Sequence, residues 1–226
     1  MKELKRIVAS AQQAMAARLD RLSRESLRED QYVRYLSMQY HLTKGVQRHF
    51  IIAASHPDFA ARKELREYLF KIGVEEELHY QLAERDVAAL GSEIIDAPLD
   101  VRLWHAYFSA VVHERPLVRI GAHCVLENIV SGRESQVQRI IGSAPYARRE
   151  NTRFVMLHLH VDAPHGTDIL DVLGDANLES RHMDDLIQGA RDGGEMYLRL
   201  IDWSIYGDDR ATTAADRSRL ETVVNR

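Results

Sequence analysis

The sequence predicts an all-α fold of seven to nine helices packed as one bundle. Apolar residues recur at spacings of three and four, as in Val33, Leu36 and Tyr40, which is the pattern of an amphipathic helix. No clear run alternates with the period of two that a half-buried strand requires. Of the 226 residues 45% are hydrophobic, enough for a full core.

Prolines mark several boundaries between the predicted helices. The chain has only five; Pro57 closes a long helix, and Pro98 lies at the start of another. Pro116 ends one helix and suits the first turn of the next, while Pro145 marks a further junction. The predicted helices are about 2–26, 29–54, 58–71, 74–90, 97–114, 116–131, 134–141, 147–173 and 176–204.

The whole chain, 1–226, is predicted to form a single helical domain. Its core covers about residues 30–205, and residues 207–226 form a polar C-terminal tail. No internal repeat, low-complexity tract or linker rich in Gly, Pro or Ser divides it.

Charge and cysteine content exclude several classes of protein. The formal net charge is -4, and Lys and Arg are scattered, so there is no basic face for nucleic acid or for an acidic membrane. No signal peptide or membrane span is recognisable. The single cysteine, Cys124, rules out an internal disulfide and a thiolate-rich zinc site. We expect a cytoplasmic protein without nucleic-acid or membrane partners, and a homodimer is the commonest oligomer for such a chain.

Histidine is frequent, with 11 residues, and three of them lie in the stretch LHLHVDAPHG. If this stretch is helical, His158, Asp162 and His165 lie within about 60° of one another on one face, and His160 points away. Imidazole and carboxylate donors together suit Fe, Mn or Zn. A polar surface segment is the alternative. Pro164 predicts a kink, or a new helix, just before His165.

Two more segments carry candidate ligands. Glu76 and His79 form a Glu-x-x-His pair, a recurrent geometry for di-iron sites in helical bundles. The alternative is a solvated acidic first turn, and a small change in helix phase would make Glu75 or Glu77 the inward residue.

Glu127 lies in LVRIGAHCVLENIVSG, which is apolar on almost every face. A buried carboxylate must be paired, protonated or bound to metal, and Arg119 is a possible partner. His123, one turn earlier, is a neighbour or a further ligand.

Together these residues, from three helices, predict a two-metal site. The set is Glu76, His79, Glu127, His158, Asp162 and His165. Three carboxylates nearly neutralise two ferrous ions, and one metal would not need six such residues.

These motifs resemble the haem-oxygenase-like di-iron oxidase and oxygenase family, the iron-containing redox enzymes, which are related in fold to the TenA and PqqC groups. The similarity covers roughly residues 30–205. It implies a seven-helix fold, two ferrous ions and O2 as co-substrate, with a fatty acid, an amine or an amino acid as the small-molecule substrate. Glu127 is our candidate for the bridging carboxylate and catalytic residue.

Other interpretations stay open. A metal-free enzyme like the TenA or PqqC groups could use Cys124 as a nucleophile, although a thiol in an apolar helix is poorly reactive. A non-enzymatic helical binding protein or a zinc-only site would also fit the composition. Haem oxygenase itself needs a proximal histidine in the first helix, and residues 1–28 contain none. Candidate pocket residues are Tyr40, His105, Tyr107, His113, Arg119 and His123.

Overall fold

The computed structural model describes the backbone of residues 1–210 and the side chains of residues 1–159 and 168–208. Within those ranges all regular structure is helical, which confirms the predicted fold class. The α-helices are α1 (Lys2–Glu25), α2 (Glu29–Thr43), α3 (Gln47–Ser55), α4 (Lys63–Glu75), α5 (His79–Ala89), α6 (Leu99–Val111), α7 (Pro116–Asn128), α8 (Glu134–Gly142), α9 (Arg153–Asp175) and α10 (Ser180–Tyr206). Short 3₁₀ turns cover Pro57–Phe59, Glu76–Leu78, Arg149–Asn151 and Gly207–Arg210.

Each predicted segment is mainly helical, but two of them are interrupted. The segment predicted over 74–90 contains the end of α4, the 3₁₀ turn Glu76–Leu78 and α5. The helix predicted over 29–54 forms α2 and α3, because Gly45 between them has a φ of +85°. A residue in the left-handed region cannot continue a right-handed helix, and glycine enters that region at little cost.

Pro164 does not end its helix. A single helix, α9, runs from Arg153 to Asp175, so of the two alternatives at Pro164 a new helix starting near Asp162 is not seen. The C-terminal tail begins with the turn Gly207–Arg210, and residues 211–226 lie outside the described part of the chain.

The pairing of α7 with α10 forms the centre of the bundle. A Cβ placed at Gly189 would lie 1.7 Å from the carbonyl oxygen of Val118, and one at Gly121 would lie 2.2 Å from the carbonyl oxygen of Leu186. Neither position can hold a side chain, so the two backbones approach closely. This contact fixes α7, which carries Arg119, His123 and Glu127.

No helix in the described residues is long and apolar enough to cross a membrane.

Candidate metal centre

Glu76 and His79 meet across the turn that joins α4 to α5. In a 3₁₀ turn the side chains at i and i+3 are eclipsed, and Nδ1 of His79 lies 3.0 Å from Oε2 of Glu76. Glu76 is buried, whereas Glu75 and Glu77 are exposed. The turn therefore selects Glu76 as the inward carboxylate of the three.

His158 approaches this pair from α9. Its Nδ1–H donates a hydrogen bond of 2.8 Å to the carbonyl oxygen of Phe154, which leaves the lone pair of Nε2 available to a metal. The His158 ring meets the His79 ring edge to face, with centroids 4.9 Å apart. The ring of Phe154 also packs against His158, at 4.1 Å between centroids.

Glu76, His79 and His158 bring one ligand atom each within 4.8 Å of one another. Burial tends to raise the pKa of Glu76, but the hydrogen bond and charge of His79, together with His158 and His123, hold that pKa below its usual value. Burial also lowers the pKa of His158, which favours the neutral imidazole that a metal requires. One carboxylate and two imidazoles form a donor set that fits Fe(II).

Glu127 reaches the site from a different helix, α7. Its Oε1 is 3.3 Å from Nδ1 of His123, and both side chains are buried. Glu127 lines the same cavity as Glu76 and His158, although it is outside the three-donor cluster. Arg119, the alternative partner, makes no ion pair with Glu127 within the described residues; its Nε instead donates to Nδ1 of His49 at 3.4 Å.

Asp162 and His165, the other two predicted ligands, have side chains outside the described residues. Their backbones belong to α9, as does that of His158.

Glu76, Glu127 and His158 line a cavity of about 120 Å³. Much of its wall is apolar and includes Leu126 and Phe154. The same wall includes a polar cluster, in which Nε2 of Gln39 donates to the hydroxyl groups of Tyr197 at 2.9 Å and Tyr35 at 3.1 Å. These three polar side chains were not recognised in the sequence, because isolated Gln and Tyr residues in a helix give no spacing signal.

Of the six candidate pocket residues, Arg119 and His123 line this cavity. Tyr40, His105, Tyr107 and His113 do not. Nε2 of His105 contacts the carbonyl oxygen of His41 at 2.8 Å, and the hydroxyl group of Tyr107 donates to Asp192 at 2.6 Å.

Asp86 supports the site from α5 and was also missed. It is completely buried, and Oδ2 accepts a hydrogen bond of 2.8 Å from the backbone N–H of Phe154, in the first turn of α9. Its partner is 68 residues away in sequence, so no local pattern could reveal the contact.

Cys124 lies on α7 with its side chain fully buried, and it does not line the cavity. Burial, with a smaller contribution from Glu127, raises the pKa of its thiol far above the usual range. The thiol is therefore protonated and out of contact with the cavity.

Comparison with known proteins gives one match to a protein family and one to a solved fold. A family model described as an iron-containing redox enzyme matches residues 33–197. No protein of curated function matches the chain. Among solved structures, the chain is similar to a domain of unknown function with a heme oxygenase-like fold from Shewanella denitrificans OS217, with a TM-score of 0.77 and 18% identity. That match covers 94% of this chain and 96% of the other, and at this identity it shows the fold alone.

Proposed function

Since the chain belongs to the family of iron-containing redox enzymes, we propose that it is a non-haem di-iron oxidoreductase that uses O2 to oxidise a small organic substrate. The observation that carries this proposal is the buried convergence of Glu76, His79 and His158, whose ligand atoms lie within 4.8 Å of one another. A structural role alone does not require two imidazoles beside a buried carboxylate.

The first iron position is assigned to these three side chains. The second is assigned to Glu127, with Asp162 and His165 from α9. Glu127 supports this assignment because it is buried and shares one cavity with Glu76 and His158. Bound iron would supply one-electron redox chemistry and a site for O2.

The protein's own side chains have separate tasks in this proposal. The hydrogen bond to the Phe154 carbonyl holds the imidazole of His158 in one tautomer. The 3.3 Å contact between His123 Nδ1 and Glu127 Oε1 can hold a proton beside the cavity. Apolar side chains such as Leu126 and Leu159 keep bulk water from the reacting groups.

The substrate that we propose is a small molecule with an apolar body: an amine, an amino acid or a fatty acid. The cavity supports a compact substrate because it combines an apolar wall with few polar side chains. The Gln39, Tyr35 and Tyr197 cluster provides hydroxyl groups that could orient it.

Iron binding tests the proposal directly. Purified protein is loaded anaerobically with Fe(II), desalted and measured for iron per chain and for O2 uptake. We expect about two irons per chain and iron-dependent O2 uptake. Replacement of His158 by Ala should remove at least about half of the iron, because a ligand to one ion is lost.

His105→Ala is the matched control for that variant. His105 and His158 are both half-buried, and each contacts a backbone carbonyl oxygen at 2.8 Å, but His105 does not line the cavity. The control should keep the iron content of the parent protein. Equal iron content in the parent, His158→Ala and His79→Ala proteins would exclude the assigned site.

A cysteine-dependent, metal-free reaction is the weaker alternative. It requires a reactive thiol at the cavity, and the burial of Cys124 away from the cavity argues against it.

A further inference from the structure

Arg119 is a buried cation that forms no ion pair with any carboxylate of the described residues. Its relative exposure is 2%, and its Nη1 has no hydrogen-bond partner among the described residues. Burial lowers the pKa of its guanidinium to about 10, so the group remains protonated at neutral pH. A buried charge of this kind is costly unless a partner of opposite charge is supplied.

The groups in contact with Arg119 stabilise its charge but do not neutralise it. The guanidinium carbon lies 5.2 Å from the ring centroid of Phe50, 5.7 Å from that of Trp104 and 5.5 Å from that of Phe108. The hydrogen-bond acceptor of Nε is His49, whose pKa burial and Arg119 lower to about 3, so this imidazole is neutral. Aromatic faces stabilise a cation but leave its N–H donors unused.

The negative charges that act most strongly on Arg119 belong to two candidate metal ligands. Glu127 and Glu76 attract Arg119 electrostatically without forming an ion pair with it. If these carboxylates bind iron, the positive charge of the metal balances their negative charge. Arg119 then faces the shared cavity with its own charge uncompensated.

We propose that Arg119 binds the carboxylate of the substrate, so that the cavity selects a small monocarboxylic acid rather than a simple amine. A guanidinium presents parallel N–H donors that match a carboxylate, and Arg119 lines the same cavity as Glu76, Glu127 and His158. This inference rests on the proposed function for its catalytic meaning, but the anion site itself is a property of Arg119.

The carbon skeleton of such an acid has apolar surface to contact. The cavity wall includes Leu42, Val46 and Leu159. A second, mostly apolar cavity of about 110 Å³ adjoins it through shared side chains that include Val130 and Val155.

Trp104 provides a local reporter for a binding test. The chain has two tryptophans, and Trp203 lies outside both cavities, where its Nε1 donates to Asp208. In a Trp203→Phe protein, the remaining tryptophan, Trp104, changes its fluorescence when a ligand binds beside Arg119. The probes are hexanoate, its neutral analogue hexanamide, and hexylamine, titrated into Fe(II)-loaded protein without O2 and into metal-free protein.

We expect saturable hexanoate binding that is at least about tenfold tighter than that of hexanamide or hexylamine. Arg119→Met should abolish this preference, and Arg119→Lys should keep it with weaker binding, because a single ammonium replaces the planar fork. If Arg119→Met does not fold, the probe preference in the parent protein and in Arg119→Lys decides the matter.

Iron content measured on the same samples separates the two proposals. Loss of the hexanoate preference in Arg119→Met, with iron retained, supports both the carboxylate site and the iron site. Iron retained with equal binding of hexanoate and hexanamide by the parent protein overturns the carboxylate site and leaves the metal site intact. If no iron is retained, the proposed function fails, and the metal-free titration still decides the role of Arg119.

Discussion

The carboxylate of Asp86 accepts a hydrogen bond of 2.8 Å from the backbone N–H of Phe154, and so ties α5 to the first turn of α9. Phe154 in turn accepts, through its carbonyl oxygen, the hydrogen bond from Nδ1 of His158. Asp86 is therefore a positioning residue for a candidate iron ligand that it does not itself touch.

Loss of this contact should loosen α9 and weaken iron binding together. We expect Asp86→Ala to lower the free energy of unfolding by roughly 1–3 kcal/mol, because backbone N–H donors at the start of α9 lose their acceptor. Iron affinity should fall about tenfold, as expected when support for a metal ligand is removed. Urea unfolding and iron titration measure the two effects.

Glu84→Gln is the control, since Glu84 lies on the same helix with an exposed side chain. It should change neither the free energy of unfolding nor the iron affinity. An Asp86→Ala protein with unaltered iron affinity would show that α9 is positioned without this contact.

The same carboxyl group predicts a pH dependence of stability. Burial raises the pKa of Asp86 from 3.8 to about 6, against the lowering effect of its backbone hydrogen bonds to Phe154 and Arg153. Between these values the unfolded chain releases the proton while the folded protein keeps it. Stability from this group therefore falls as pH rises from about 4 to about 6, and is constant above that range.

Comparison with Asp86→Asn isolates this effect from other carboxylates. The difference in unfolding free energy, parent minus variant, should be more favourable at pH 4.5 than at pH 7.5 by roughly 1–3 kcal/mol, given about 1.4 kcal/mol per pKa unit. Urea unfolding at both pH values measures it. A difference that does not change with pH would contradict the raised pKa.

The helices were predictable because their apolar periodicity is local. The break at Gly45 was not, since a glycine within an apolar helical pattern is compatible with a continuous helix as well as with a left-handed turn. The close approach of Gly189 to Val118 likewise depends on the pairing of two distant helices.

Only the local part of the candidate site was predictable. The i, i+3 spacing predicted that Glu76 and His79 lie close together, and their contact is observed. The choice of Glu76 over Glu75 and Glu77 required the 3₁₀ turn, which the spacing of these residues does not reveal. The role of Asp86 required a contact across 68 residues.

Gly189 should be sensitive to the smallest substitution. In Gly189→Ala the added methyl group would collide with the backbone of Val118, so α7 and α10 must move apart. We expect a loss of roughly 3 kcal/mol or more in unfolding free energy, at the upper end for overpacked cores.

Gly142→Ala is the matched control, because Gly142 is also helical but a Cβ there meets nothing within 4 Å. It should be neutral, or stabilising by up to about 1 kcal/mol. Thermal unfolding compares the two variants, and an equal effect of both would argue against close packing of α7 on α10.

The thiol of Cys124 should be unreactive in the folded protein. Its thiol is buried and protonated, so iodoacetamide should modify it only after unfolding. Cys124→Ala should keep iron content and O2 uptake near those of the parent protein, with a stability cost of about 1 kcal/mol for the small cavity left behind. Mass spectrometry of alkylated protein, with and without urea, follows the thiol. Rapid alkylation of folded protein, together with loss of activity in Cys124→Ala but not in His158→Ala, would favour cysteine chemistry over the iron site.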